Sequence, residues 1–119
     1  MDRTRLDLIR GTLDVLILKA LAWGPQHGYN ITTFIRERSG DALLVEEGTL
    51  YPALWRLEAR KLVEAEWGLS ENNRKAKFYR LTPSGRRQLQ RDARTWHAYA
   101  SAVANILAAT QPALRRRPS

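Results

Sequence analysis

After Leu81-Thr82-Pro83-Ser84-Gly85 the chain runs to about Ala109 with nothing that would end a helix. Thr82 suits an N-cap, and Pro83 suits the first helical position, where its missing N–H costs no hydrogen bond. At ~1.5 Å per residue such a helix is about 40 Å long, too long to lie wholly against a small body. Leu89, Ala93, Trp96, Ala100, Val103 and Leu107 recur along it at steps of 4, 3, 4, 3 and 4, the seam spacing of paired helices. Tyr99 and Ile106 widen the stripe. The helix needs a partner, and a symmetric second copy of the chain is the simplest supplier.

Residues 12–22 make the same demand from the other end. Leu13, Val15, Leu16, Ile17, Leu18, Ala20 and Leu21 leave almost no polar surface, so this helix must be covered on more than one side. Thr12 is placed to cap it and Asp14 to sit in its first turn. One side faces the chain's own core, and Leu16 and Ala20 are expected to join the seam of the last helix in the dimer interface. Gly24-Pro25 ends the segment. Residues 29–38 then put Tyr29, Ile31, Phe34 and Ile35 on a core-like face, with Arg36 and Arg38 outward and Ser39-Gly40 closing the helix.

The stretch EEGTLYPALWRLEARKL (46–62) reads as a further amphipathic helix. Leu50, Leu54, Leu57 and Lys61 share one face. The opposite face carries Thr49, Pro52, Trp55, Arg56 and Ala59, an unusual mixture for a solvated surface. Pro52 leaves the carbonyl of Gly48 without its helical donor, at least cost within the first two turns. Thr49 and the nearby backbone can reach phosphates or base edges, and Arg56 can reach phosphate or guanine. Tyr51 and Trp55 can instead pack on neighbouring elements. Glu46 and Glu47 either compensate the helix dipole or accept from a cytosine amino group.

Residues 62–70 and 77–81 read as two strands around the turn Glu71-Asn72-Asn73-Arg74-Lys75. Charge concentrates from here on. Residues 1–69 hold nine Lys/Arg against ten Asp/Glu, whereas residues 70–119 hold eleven against two. A polyanion would meet mainly the second half, with Arg74, Lys75 and Lys77 as its phosphate or minor-groove contacts. Tyr29, at the start of its helix, is placed to donate its hydroxyl to a phosphate, and His27 to stabilise the turn before it.

Other chemistry finds little support. The absence of cysteine excludes disulfides and thiolate metal sites. The two histidines fall in different elements, no His/Asp/Glu cluster has metal-ligand spacing, and no glycine pattern cradles phosphate. We expect no catalysis, cofactor or metal. The chain has no apolar run of membrane-spanning length, and a cytoplasmic protein is expected. The order of elements, three helices, a small β-hairpin with a basic tip and a long helix, gives a mainly α fold: a winged helix-turn-helix with a C-terminal dimerisation helix.

The segments GTLDVLILKAL (11–21), GPQHGY (24–29), EEGTLYPALWRLE (46–58) and EAEWGLSENNRKAKFYRLTPSG (64–85), with Trp96, resemble the PadR family of bacterial transcriptional regulators, in its compact branch. The resemblance implies a homodimeric repressor in which the last helix packs on the first helix of its mate. It implies a DNA-binding domain over residues 6–81, a dimerisation helix over 82–110 and a flexible basic tail over 111–119. The third helix of each copy would enter the major groove of a palindromic double-stranded operator. Its DNA face would comprise Tyr29, Glu47, Gly48, Thr49, Tyr51, Pro52, Arg56, Arg74, Lys75 and Lys77. It also implies a small aromatic effector near Trp96, with Leu13, Ile17, Tyr99 and Ala100, although Trp96 can simply fill the dimer core. The competing function is a dimeric winged-helix module that binds protein rather than an operator.

Overall fold

The computed structural model describes the backbone of residues 3–112 and the side chains of residues 11–112. The elements run α1 (Arg3–Ala20), β1 (Gln26–His27), α2 (Gly28–Arg38), α3 (Glu47–Ala59), β2 (Val63–Leu69), β3 (Lys75–Leu81) and α4 (Pro83–Leu107). Arg115, Arg116 and Arg117 of the expected tail lie outside the described residues.

One core joins α1, α2, α3 and the sheet. Leu13, Ile17, Leu18 and Leu21 meet Ile31 and Ile35, the buried face of α3 (Leu50, Ala53, Leu54, Leu57), and Val63 and Tyr79. The expected cap at Thr12 is not there, because α1 starts at Arg3 and carries Thr12 in its interior. Nothing in residues 3–10 breaks a helix, and Gly11 costs only about 1 kcal/mol against alanine. In α2, Ile31 and Ile35 define the buried stripe. Tyr29, two residues earlier, is turned about 200° away from Ile31 and is 71% exposed, which corrects its assignment to the core face.

The end of α3 corrects Lys61. The Lys61 N–H donates to the Glu58 carbonyl (2.9 Å) and the Leu62 N–H to the Leu57 carbonyl (2.9 Å), while Lys61 adopts φ 64°. This is a left-handed helix stop, so Lys61 lies beyond the helix and in solvent rather than on its apolar face.

The sheet is three-stranded and antiparallel, in the order β1-β3-β2. The third strand is an addition to the expected hairpin: Gln26 pairs with Tyr79 and His27 with Phe78. The pairs Val63↔Leu81 and Ala65↔Tyr79 face the core, and Trp67↔Lys77 and Leu69↔Lys75 continue the same face beyond it. At the turn the Ser70 N–H donates to the Arg74 carbonyl (2.8 Å) and Asn73 takes φ 63°. Lys75 therefore opens β3 instead of closing the turn.

Thr82 caps α4 as expected, its Oγ1 accepting from the Gly85 N–H at 2.9 Å. The same hydroxyl donates toward the carbonyls of Lys61 (2.8 Å) and Leu62 (3.2 Å), and the Thr82 N–H donates to Leu62 (3.1 Å). Gly85 is required by this junction, since a Cβ there would overlap the Leu62 carbonyl oxygen. The first half of α4 packs on α1. Its far end leaves the body, giving a longest dimension of 67 Å, and Ile106 and Leu107 are 72% and 79% exposed.

Candidate nucleic-acid interface

The outward face of α3 and the inner face of the β2–β3 hairpin form opposite walls of a cleft of about 730 Å³. Tyr51, Trp55 and Glu47 line one wall, Trp67, Lys75 and Lys77 the other, and Tyr29 stands at the edge. The apolar spacing of α3 creates this geometry: with Leu50, Leu54 and Leu57 buried, Thr49, Pro52, Trp55 and Arg56 must face out.

The N-terminus of α3 carries no side-chain cap. Glu46 occupies the N-cap position without capping the helix and Glu47 lies in the first turn. Both suit the positive end of the helix dipole. Gly48, Thr49 and Pro52 are exposed.

Tyr51 is held against α2. A Cβ at Gly28 would overlap the Tyr51 hydroxyl and stand 2.9 Å from its Cζ, so glycine at the first position of α2 lets the two helices approach. Burial, then the Glu47 carboxylate, pushes the Tyr51 phenol above its ordinary pKa, which keeps it a hydrogen-bond donor. His27 supports this corner as the N-cap of α2, its Nδ1 accepting from the Asn30 N–H at 3.4 Å. Its ring meets Phe78 edge-on at 5.3 Å.

Arg56 is placed differently from the other expected contacts. Its Nη2 donates to Asp14 Oδ1 of α1 at 3.2 Å, which draws the guanidinium toward α1.

The wing's cations divide into two groups. Arg74 and Lys75 are exposed, with no carboxylate in ion-pair reach among the described residues. The Lys75 ammonium sits 5.3 Å from the Trp67 ring and that of Lys77 5.9 Å from Tyr79. Arg80, on the outer face, pairs with Glu64 (3.0 Å) and Glu66 (2.8 Å). The hydrogen bond to Glu66 leads in raising its pKa, so Arg80 stays charged but already engaged. Sequence reasoning missed Trp67; its alternation with Val63 and Ala65 is the signal that could have found it.

A second groove, of about 370 Å³, lies between α1 and α4. Trp96 and Tyr99, with ring centroids 6.2 Å apart, line it beside Asp14, Asp92, Thr95 and Arg60. Leu13 and Ile17, expected on the ligand surface, are fully buried in the core and offer it nothing. Ala100 is half-buried but does not line the groove. The polar wall (Asp14, Asp92, Arg60) is invisible in sequence because each residue reads alone as an ordinary helix-surface charge. Of the residues expected between protomers, Ala20 is buried within its own chain, and Leu16 and Leu89 pack partly against the same core. Ala93, Ala100 and Val103 are half-buried, and Trp96 and Leu107 remain exposed.

A helix-turn-helix whose third helix faces a basic hairpin across an aromatic cleft defines a winged-helix protein of the DNA-binding class. Residues 17–91 match the transcriptional regulator PadR-like family. A transcriptional regulator of Mycobacterium tuberculosis is 36% identical over 94 residues, covering 79% of this chain and 84% of that one. Among solved structures, a transcriptional regulator from Clostridium thermocellum aligns with a TM-score of 0.75 at 30% identity, covering 83% of this chain and 96% of that one. A PadR family regulator from Eggerthella lenta aligns with a TM-score of 0.74 at 32% identity, covering 90% and 91%. The chain belongs to the PadR-like family of transcriptional regulators, and DNA-binding regulation is the function that family and fold support. Among the described residues no helix is long and apolar enough to cross a membrane.

Proposed function

We propose that the protein is a cytoplasmic homodimeric repressor that binds a palindromic double-stranded operator and is released by a small aromatic ligand. The observation that carries the DNA-binding reading is the cleft itself. Exposed residues of α3 and wing cations with no carboxylate partner among the described residues border one open surface, the pairing of base readout with phosphate contact that sequence-specific binding requires. Residues 6–81 supply that surface, and residues 82–110 supply the dimer contact through the exposed end of α4. Tyr29, Glu47, Gly48, Thr49, Tyr51, Pro52, Arg74, Lys75 and Lys77 form the DNA face. Arg56, bonded to Asp14 through Nη2 alone, completes it with its other guanidinium donors.

The α1–α4 groove, with Trp96 and Tyr99, supports the ligand reading. A molecule there favours one arrangement of α4 and thereby one spacing of the two α3 helices, so it acts by shifting a population.

The decisive experiment is binding to the DNA upstream of the protein's own gene, across a salt series and with excess competitor, beside sedimentation of the protein alone. Nanomolar, salt-sensitive, competitor-resistant binding by a dimer is expected. A flat salt response would instead favour the protein-interaction module. A monomer that persists at micromolar concentration would remove the palindromic operator from the reading.

A further inference from the structure

The inner face of the wing carries more than charge. Along β2 every second residue points the same way, and Val63 and Ala65 spend that face on the core. The strand then continues past the body, and Trp67 and Leu69 stand 62% and 66% exposed. A hairpin that only neutralises phosphates needs neither. Single exposed apolar residues are ordinary on protein surfaces, so exposure alone decides nothing. Placement does. Directly across the strand pair from Trp67 is Lys77, and directly across from Leu69 is Lys75. Lys75 also reaches over the Trp67 ring, at 5.3 Å, and Arg74 follows at the tip.

We propose that Trp67 and Leu69 form an apolar wedge that the wing drives into a minor-groove base step, bending the operator toward α3. The minor groove is about 6 Å wide, with a floor of base edges that carry hydrogen-bonding groups, walls of apolar deoxyribose and a phosphate rail on each side. An apolar pair flanked by cations matches that cross-section: Leu69 and Trp67 pack on the sugars and enter between the base faces of an opened step, and Lys75, Lys77 and Arg74 meet the rails. Apolar side chains inserted at such steps unstack them and kink the duplex toward its major groove. Here that direction closes the DNA onto the other wall of the cleft, where Tyr51 and Trp55 of α3 lie.

The wing is also braced for the task. On its outer face Arg80 bridges Glu64 and Glu66 across the two strands. Phe78 fills the space over Gly68, where a Cβ would stand 3.2 Å from its ring, and His27 backs Phe78 from β1. The central strand β3 is paired on both sides. A hairpin held this way transmits strain to the DNA instead of yielding to it.

This inference rests on the DNA-binding reading, and the test separates the two. Duplexes selected by the protein from a random-sequence library are labelled at both ends for energy transfer, with 2-aminopurine at successive steps. The wild-type protein is expected to shorten the end-to-end distance by a bend of at least about 20° and to raise 2-aminopurine emission at one step per half-site. Trp67→Ala/Leu69→Ala, and separately the uncharged Leu69→Asn, should bind the same duplex about 10-fold more weakly, with an unchanged salt slope and a straight duplex. Arg74→Ala/Lys75→Ala should lose slope and keep its bend when saturated. A straight wild-type complex, or a full bend in both wedge variants, overturns the wedge and leaves DNA binding intact. Failure to select any duplex overturns DNA binding and the wedge together.

Discussion

Replacing Arg74 and Lys75 together by alanine gives the sharpest quantitative test of the DNA face. Both project from the wing without a carboxylate partner among the described residues, whereas Arg80 is held by Glu64 at 3.0 Å and Glu66 at 2.8 Å. Each phosphate neutralised by a cation contributes about 0.9 to the steepness with which log affinity falls against log salt. Removing both cations from one wing flattens the line by about 1.8, and from both wings of a dimer by about 3.6. From about 50 to about 200 mM salt, the wild-type advantage should therefore shrink by about 12-fold for one wing or about 150-fold for two. Fluorescence anisotropy of a labelled operator duplex across that range measures it directly. Arg80→Ala is the control, because an arginine already engaged by two carboxylates adds little to the slope; its line should run parallel to wild type. A parallel line for the Arg74/Lys75 variant, or an equal flattening by Arg80→Ala, would show that the division into paired and unpaired cations does not govern binding.

Gly85→Ala should cost about 3 kcal/mol or more in urea unfolding. Clearing the Leu62 carbonyl adds strain of about 1–3 kcal/mol to the loss of bonds to Thr82 worth about 1 kcal/mol each, and a loss below about 1 kcal/mol would contradict the close contact. Lys61→Gly should raise stability by about 0.5 kcal/mol, or the melting point by about 3 °C, because relief of left-handed strain outweighs the extra freedom of unfolded glycine; a lower melting point would refute this. The phenols of Tyr51 and Tyr79 are both raised above 10.0, chiefly by burial. The folded state holds those protons more tightly than the unfolded chain, so their stabilisation is intact below pH 10.0 and is lost as pH rises from there through the folded values. Urea unfolding from about pH 9 to about pH 11 should show that decline, shallower in Tyr51→Phe; a stability that rises with pH would reverse the assignment.

The parts legible in the sequence were those set by local rules. Leu50, Leu54 and Leu57 announced the buried face of α3 by spacing, and Thr82-Pro83 marked the start of α4 within a residue. Ser39-Gly40 likewise marked the end of α2, with Gly40 at φ 63°. What escaped depended on contacts distant in sequence. Gln26 and His27 sit in a stretch of turn-like residues and become a strand only because β3 offers them an edge. Lys61 has a side chain that fits an apolar helix pattern, yet the helix stops before it, in a conformation more usual for glycine. At the candidate site, Arg74, Lys75 and Lys77 followed from charge placement. The Arg56–Asp14 bond, spanning α1 and α3, and the exposure of Trp67 could not be read from either segment alone.

The base of the hairpin and the root of α4 are the same point. The Leu62 carbonyl, one residue before β2, accepts from both the N–H and the Oγ1 of Thr82, one residue before α4. From that fulcrum the 25 residues of α4 extend an arm of about 37 Å. A tilt of about 10° about it carries the far end through about 6 Å for an arm of that length. Conversely, fixing the far end, as a second copy of the chain would, converts any swing of the arm into a swing of the hairpin. In the proposed dimer this shared carbonyl would make the wing the short end of a lever, and a change of a few degrees in the grip of two α4 helices would be felt where the wing meets its target.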